Sequence, residues 1–243
     1  MEALMNHNGD STHPQTNRIL SALPKDEYER LAPHLEYVEH PLGKVLYEPG
    51  EPIHHAHFPY RGTISVTLPT ENGSEAEVGV IGREGMFGLP VVLGTDSAPL
   101  RAMVQVPGGG VRLRADLLKA ELSRGGQLNG LLLRYAQAFF VQTAVTAACN
   151  RLHDLQERLA KWLLTTRDRA QSDKLQLTHE FLSVMLGVRR AGVTVAAGQL
   201  QSEGLIEYTR GAVKVADARG LEGASCECYQ VVRREYDRLL GEG

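Results

Sequence analysis

The chain has 243 residues and a formal charge of -3, from 26 Lys and Arg against 29 Asp and Glu. At roughly 100–200 residues per domain, that length fits one large domain or two modest ones. A composition of 42% hydrophobic and 23% charged residues excludes disordered and collagen-like chains, and the charge excludes a strongly basic protein that coats polyanions.

Three cysteines, Cys149, Cys226 and Cys228, cannot form a paired framework, so a reducing, cytoplasmic location is expected. No apolar run reaches ~18 residues, so no membrane span is expected. Residues 1–17 are polar at the start, lack the regions of a signal peptide, and read as a flexible tail.

Residues 18–128 are rich in turns and short strands. A helix is predicted after Pro24, with Asp26 and Glu27 in its first turn. Short runs follow, broken by Gly and Pro: Val45 to Tyr47, Thr63 to Leu68, Glu77 to Ile81, Met103 to Val106 and Val111 to Leu113. Strands at such close spacing predict a rolled antiparallel sheet. From Asn129 to Asp168 there is no Pro, and apolar residues recur at helical spacing. The pattern predicts a long helix that links two domains and, over residues 129–156, pairs with a second copy.

Residues 157–220 carry the functional motif. Thr178 suits a helix N-cap; Leu182, Met185 and Leu186 form one apolar face; Gly187 permits the positive φ of a tight turn. Val193, Ala196 and Leu200 give a second helix its inner face. Two helices crossing through a short Gly turn predict a helix-turn-helix, whose second helix enters the major groove. Leu205 to Tyr208 and Ala212 to Val215 are short strands around Arg210-Gly211, which predicts a wing. Residues 221–243 are expected to form a C-terminal helix.

From Arg158-Leu159-Ala160-Lys161-Trp162 through Gly204-Leu205-Ile206, and in the order of its zones, the chain resembles the Crp/Fnr family of bacterial transcription regulators. The resemblance implies an α+β architecture. It combines an N-terminal β-roll resembling a cyclic-nucleotide-binding domain, a dimerisation helix and a C-terminal winged helix-turn-helix. It also implies a homodimer on a pseudo-palindromic DNA operator, with RNA polymerase as a further partner. In that family the recognition helix opens with Ser-Arg-Glu and bears a second Arg one turn later. The matching positions here are Arg189, Arg190, Ala191 and Val195, so only Arg190 keeps its base-reading side chain. Bidentate contact with a guanine is worth ~1–3 kcal/mol of discrimination. Arg189 is assigned to a phosphate, and Thr194 and Gln199 are candidate replacements for the lost base contacts. Arg210 and Lys214 on the wing, with Thr178 and His179 at the first helix, complete the phosphate contacts. Gly192 and Gly198 weaken the helix by ~1 kcal/mol each relative to Ala but would let its backbone approach DNA.

The family's cyclic-nucleotide binders use a Gly-Glu pair for the ribose and an Arg-Ser or Arg-Thr pair for the phosphate. The nearest matches here are Gly88-Leu89 and Arg101-Ala102. Leu89 cannot accept a hydroxyl hydrogen bond, so cyclic AMP is not expected and the effector is left unassigned. No cofactor is expected. Iron–sulfur sensing would need more cysteines than exist here. Cys226-Glu227-Cys228 is too close-spaced for a CxxC pair, Cys149 reads as interface core, and the His54-His55-Ala56-His57 run lacks a third ligand, so no metal site is expected. No catalytic motif is present and no enzymatic activity is expected. The alternative reading is a ligand-sensing module that acts through protein contacts with a degenerate DNA-binding domain. The charge is unevenly spread. Residues 1–156 carry 13 basic and 17 acidic residues, net -4, and residues 157–243 carry 13 and 12, net +1. Between Lys174 and Lys214 five basic residues face three acidic ones, net +2.

Overall fold

The computed structural model describes residues 16–209 and 211–241. Most of the N-terminal tail expected over residues 1–17 therefore lies outside the described residues, as does Arg210 of the wing.

The described chain opens with two short helices, α1 (Arg18–Ser21) and α2 (Lys25–Leu31), and a 3-10 turn (Ala32–His34). Asn17, expected in the tail, is instead fully buried. Its side chain accepts from the amides of Ile19 and Leu20 and donates to the carbonyls of Pro59 and Gly85, so it caps α1 and ties it to the roll.

The roll contains β1 (Glu36–His40), β2 (Val45–Tyr47), β3 (His55–Pro69), β4 (Glu75–Ile81) and β5 (Arg101–Arg114), with helix α3 (Leu89–Val92) before β5 and α4 (Ala115–Leu122) after it. All pairings are antiparallel, in the order β1-β5-β3-β4, and β2 also pairs with β5. The two strands expected around Pro107-Gly108-Gly109-Gly110 are one continuous strand. Side chains are excluded there because β3 passes so close: a Cβ on Gly108 would lie 2.1 Å from the Arg61 carbonyl oxygen, and one on Gly110 would lie 2.3 Å from that of Phe58.

Helix α5 (Gln127–Leu152) follows. Its inner face, including Leu128, Leu132, Tyr135 and Ala138, belongs to the core of the roll. The long helical pattern breaks at His153. Asp154 caps α6 (Leu155–Ala170) through a capping box with Glu157, the signal at which one helix becomes two.

Beyond α6 lie β6 (Lys174–Leu175), α7 (His179–Leu186), α8 (Arg190–Ser202), β7 (Ile206–Thr209) and β8 (Ala212–Val215). The expected two-stranded wing is a three-stranded sheet, β6-β8-β7. A separate core of Leu159, Trp162, Leu163, Leu182, Val193, Leu200 and Val213 holds this half together. The C-terminal helix expected over residues 221–243 is two helices, α9 (Ala218–Gly223) and α10 (Cys228–Leu240). Val232 and Tyr236 of α10 return to the first core.

Buried polar groups join the two halves. Glu77 of β4 accepts from Ser65 Oγ (2.7 Å), Gln105 Nε2 (2.5 Å) and Trp162 Nε1 (2.9 Å). Burial pushes the Glu77 carboxyl above the usual carboxylate range, against the opposing pull of these donors. Arg169 of α6 pairs with Glu84 (2.9 Å), donates to the Val80 carbonyl (2.5 Å) and stands over the Tyr236 ring.

Candidate nucleic-acid interface

Helix α7 starts at Thr178, whose hydroxyl accepts from the Phe181 amide at 3.1 Å. It ends at Gly187, which takes φ 64 and ψ 39. That left-handed residue lets the chain reverse at once into α8, and the two axes differ by 106°. Arg158 of α6 donates to the Leu186 carbonyl at 2.6 Å, satisfying a helix end at the turn. Leu182, Met185, Leu186, Val193, Ala196 and Leu200 are all buried, as the amphipathic pattern requires.

The opposite face of α8 is open. Arg190, Ala191, Thr194, Val195, Gly198 and Gln199 are exposed along one stripe. Arg189 occupies the N-cap position in extended conformation, and its side chain makes no capping hydrogen bond. The first amides of α8 therefore lack a side-chain cap, a setting suited to an anion. Neither Arg189 nor Arg190 makes an ion pair among the described residues.

Two expected contacts are engaged within the protein. Thr194 Oγ1 donates to the Arg190 carbonyl and lies 3.0 Å from His179 Nδ1, which then carries the ring proton. His179 stacks on Tyr208 of β7 with centroids 4.2 Å apart, so it ties α7, α8 and the wing together. Burial, and then the Arg190 charge, lowers its pKa. Lys214 pairs with Glu207 at 3.0 Å on the exposed wing, next to Lys174 across the sheet. Gly192 does not face outward: a Cβ there would lie 2.9 Å from Leu155 Cδ2, so this glycine serves the close crossing of α6 and α8. Gly198 has open space around it.

Val195 is absent from the expected contacts, since the resemblance places an arginine at its position. It is 63% exposed at the centre of the stripe. A β-branched residue away from the buried Val193, Ala196 and Leu200 face was the available signal.

In the roll, Gly88 and Leu89 line an open cavity of about 290 Å³ with Tyr47, Phe87, Leu100 and Phe139. Arg101 is not among its lining residues. Its guanidinium meets Glu48 at 2.8 Å and Glu75 at 3.2 Å, and Ala102 is fully buried. The two halves of the expected effector site are therefore not brought together. His57 faces His40, with Nδ1 to Nε2 at 3.3 Å.

A family profile of Crp-like helix-turn-helix domains matches residues 157–224. The chain has the Crp/Fnr fold. A Crp/Fnr transcriptional regulator from Eubacterium rectale superposes with a TM-score of 0.66 at 16% identity, covering 85% of this chain and 96% of its own. FixK2 from Bradyrhizobium japonicum gives 0.68 at 15% identity, with 79% and 98% covered. A Crp/Fnr-family regulator from Thermus thermophilus gives 0.59 at 22% identity, with 78% and 98% covered. No curated protein sequence matches the chain. The Crp/Fnr architecture accounts for the element order: roll, long helix, then winged helix-turn-helix. Among the described residues no single helix is long and apolar enough to cross a membrane.

Proposed function

We propose that the protein is a homodimeric, sequence-specific DNA-binding transcription regulator. The open stripe of α8, with Arg190 and Val195 on one face and uncapped amides at its N-terminus, carries this reading. Arg190 reads a guanine edge, Val195 packs on a thymine methyl, and Arg189 with the α8 amides holds a phosphate. Gln199 reads a base at the far end of the stripe. Thr178, Lys214 and Arg210 contact the backbone from the first helix and wing, and His179 and Thr194 position the helix. The exposed apolar residues Leu133 (48%) and Phe140 (67%) lie two helical turns apart on the outer face of α5, which supports pairing of two copies there. Two recognition helices then fall about 34 Å apart, one DNA turn.

Selection from a random DNA library, followed by gel shifts at fixed salt, tests the reading. Arg190→Ala is expected to cost ~1–3 kcal/mol and to relax preference at one base pair, while Arg189→Ala weakens all sequences alike. Equal weak binding by the wild type and the double variant, with no sequence selected, would instead favour a sensor that acts through protein contacts.

The cavity beside Gly88 supports an uncharged, apolar effector. Among the described residues no charged side chain lines it, and Leu89 replaces the ribose-binding acid of cyclic-nucleotide binders. Phe139, Phe140 and Thr143 of α5 form one wall, so a ligand there would touch the pairing helix directly. Thermal-shift titration with cyclic AMP and with an apolar fluorescent probe separates the cases: only the probe should stabilise the protein.

A further inference from the structure

A second cluster of reactive side chains lies at the break between α5 and α6. Cys149 lies in the last turn of α5, and His153, four residues on, is its C-cap and donates its amide to the Cys149 carbonyl. Cys226 precedes α10 and Cys228 opens it. The three Sγ atoms and one ring nitrogen of His153 all lie within 4.8 Å of one another. Cys149 Sγ is 3.5 Å from Cys226 Sγ, and Cys228 Sγ is 3.7 Å from His153 Nδ1. A tetrahedral ion with zinc-to-sulfur and zinc-to-nitrogen bonds of about 2.3 and 2.0–2.1 Å sets its ligands roughly 3.5–3.8 Å apart. Those two pairs are thus already at coordination spacing, and the remaining pairs lie within 4.8 Å.

The surroundings agree. His153 Nε2 lies 3.2 Å from Glu227 Oε2, and a carboxylate on the far nitrogen is how metal-bound histidines are commonly oriented. All three cysteines are free and buried. Three thiolates around a divalent ion leave one negative charge, and Lys161 lines the same pocket as Cys149. Four nitrogen and sulfur donors close the coordination shell, as in structural zinc sites, and this donor set disfavours magnesium and calcium.

We propose that Cys149, His153, Cys226 and Cys228 form a Cys3His structural metal site that takes zinc. Cys149 is then a ligand within its own chain and not a residue of the interface between copies. The ion fastens the start of α10 to the end of α5, one residue before the Asp154 cap of α6. It would therefore hold the angle at which the helix-turn-helix leaves the long helix. The four residues come from two segments, with 77 positions between Cys149 and Cys226, so local spacing in the sequence does not show their meeting.

The test uses the full-length protein, kept under reductant and supplied with zinc alone. Elemental analysis and native mass spectrometry should find one zinc per chain. Cobalt replacing the zinc should give the thiolate charge-transfer and tetrahedral ligand-field bands. Cys228→Ser and His153→Ala should each lose the zinc and the cobalt bands, while His54→Ala keeps both. The wild-type cobalt spectrum decides the matter even if a variant fails to fold. Wild-type protein that takes no zinc overturns the proposal. So does an octahedral cobalt spectrum, or a Cys149–Cys226 disulfide persisting under reductant.

Discussion

Trp162 Nε1 donates a 2.9 Å hydrogen bond to Glu77 Oε1, and this bond joins α6 of the helix-turn-helix half to β4 of the roll. Both residues are buried. The acceptor draws further donors from β3 and β5, so three strands and one helix converge on a single carboxyl group.

Trp162→Phe removes one donor from that group and keeps most of the packing. A buried acceptor left short of a partner costs ~1–3 kcal/mol. Urea denaturation should show a loss of that size. Proteolysis in the α5–α6 connection should also become faster, because the two halves lose a shared anchor. A variant as stable as the wild type would show that Glu77 is satisfied without the indole.

His40 and His57 predict acid sensitivity. Burial lowers the His40 pKa to about 4 and, with the nearby His40, that of His57 to about 3. The unfolded chain, with histidine near 6.5, binds protons that the folded chain refuses. The stability that follows is present above pH ~6.5 and is lost as pH falls toward the folded values. At about 1.4 kcal/mol per pH unit, each histidine removes roughly 2 kcal/mol between pH 6.5 and 5. Melting curves across this range should fall steeply for the wild type, and His57→Phe should flatten the slope.

Gly192 and Gly198 separate two uses of glycine in one helix. Gly198→Ala meets open space and should raise stability by up to ~1 kcal/mol through helix propensity. Gly192→Ala should gain less or lose, since Leu155 must turn away from the new methyl group. Equal melting temperatures for the two variants would contradict the close crossing of α6 and α8.

Phe140→Glu tests the outer face of α5. A charge on that stripe should convert a dimer to a monomer in sedimentation analysis. DNA affinity should drop with it, because each monomer's net charge of +2 across the recognition region supplies few phosphate contacts. A stable dimer in this variant would place the pairing surface elsewhere.

Much of this architecture was legible because it rests on local rules. The Gly187 turn, the Thr178 cap, the apolar faces of α7 and α8 and the alternating strands of the roll each depend on residues within a few positions of one another. Even the end of α5 was written locally, in the capping box of Asp154 and Glu157. The exposed stripe of α8 followed from the same periodicity, although Thr194 and His179 bind each other.

What sequence alone determined is the order of elements and the face each helix buries, since helix and strand periods and turn chemistry act over short distances. What only the tertiary structure decided are the meetings of distant groups. Glu27 of α2 caps α5 by accepting from the amides of Gln127 and Leu128, where no neighbouring residue supplies a side-chain cap. Arg101 is drawn to Glu48 and Glu75 and away from the cavity at Gly88. Cys149 and His153 meet Cys226 and Cys228 only because α10 folds back on α5. Such contacts depend on how whole cores close, and no short-range pattern in the chain encodes them.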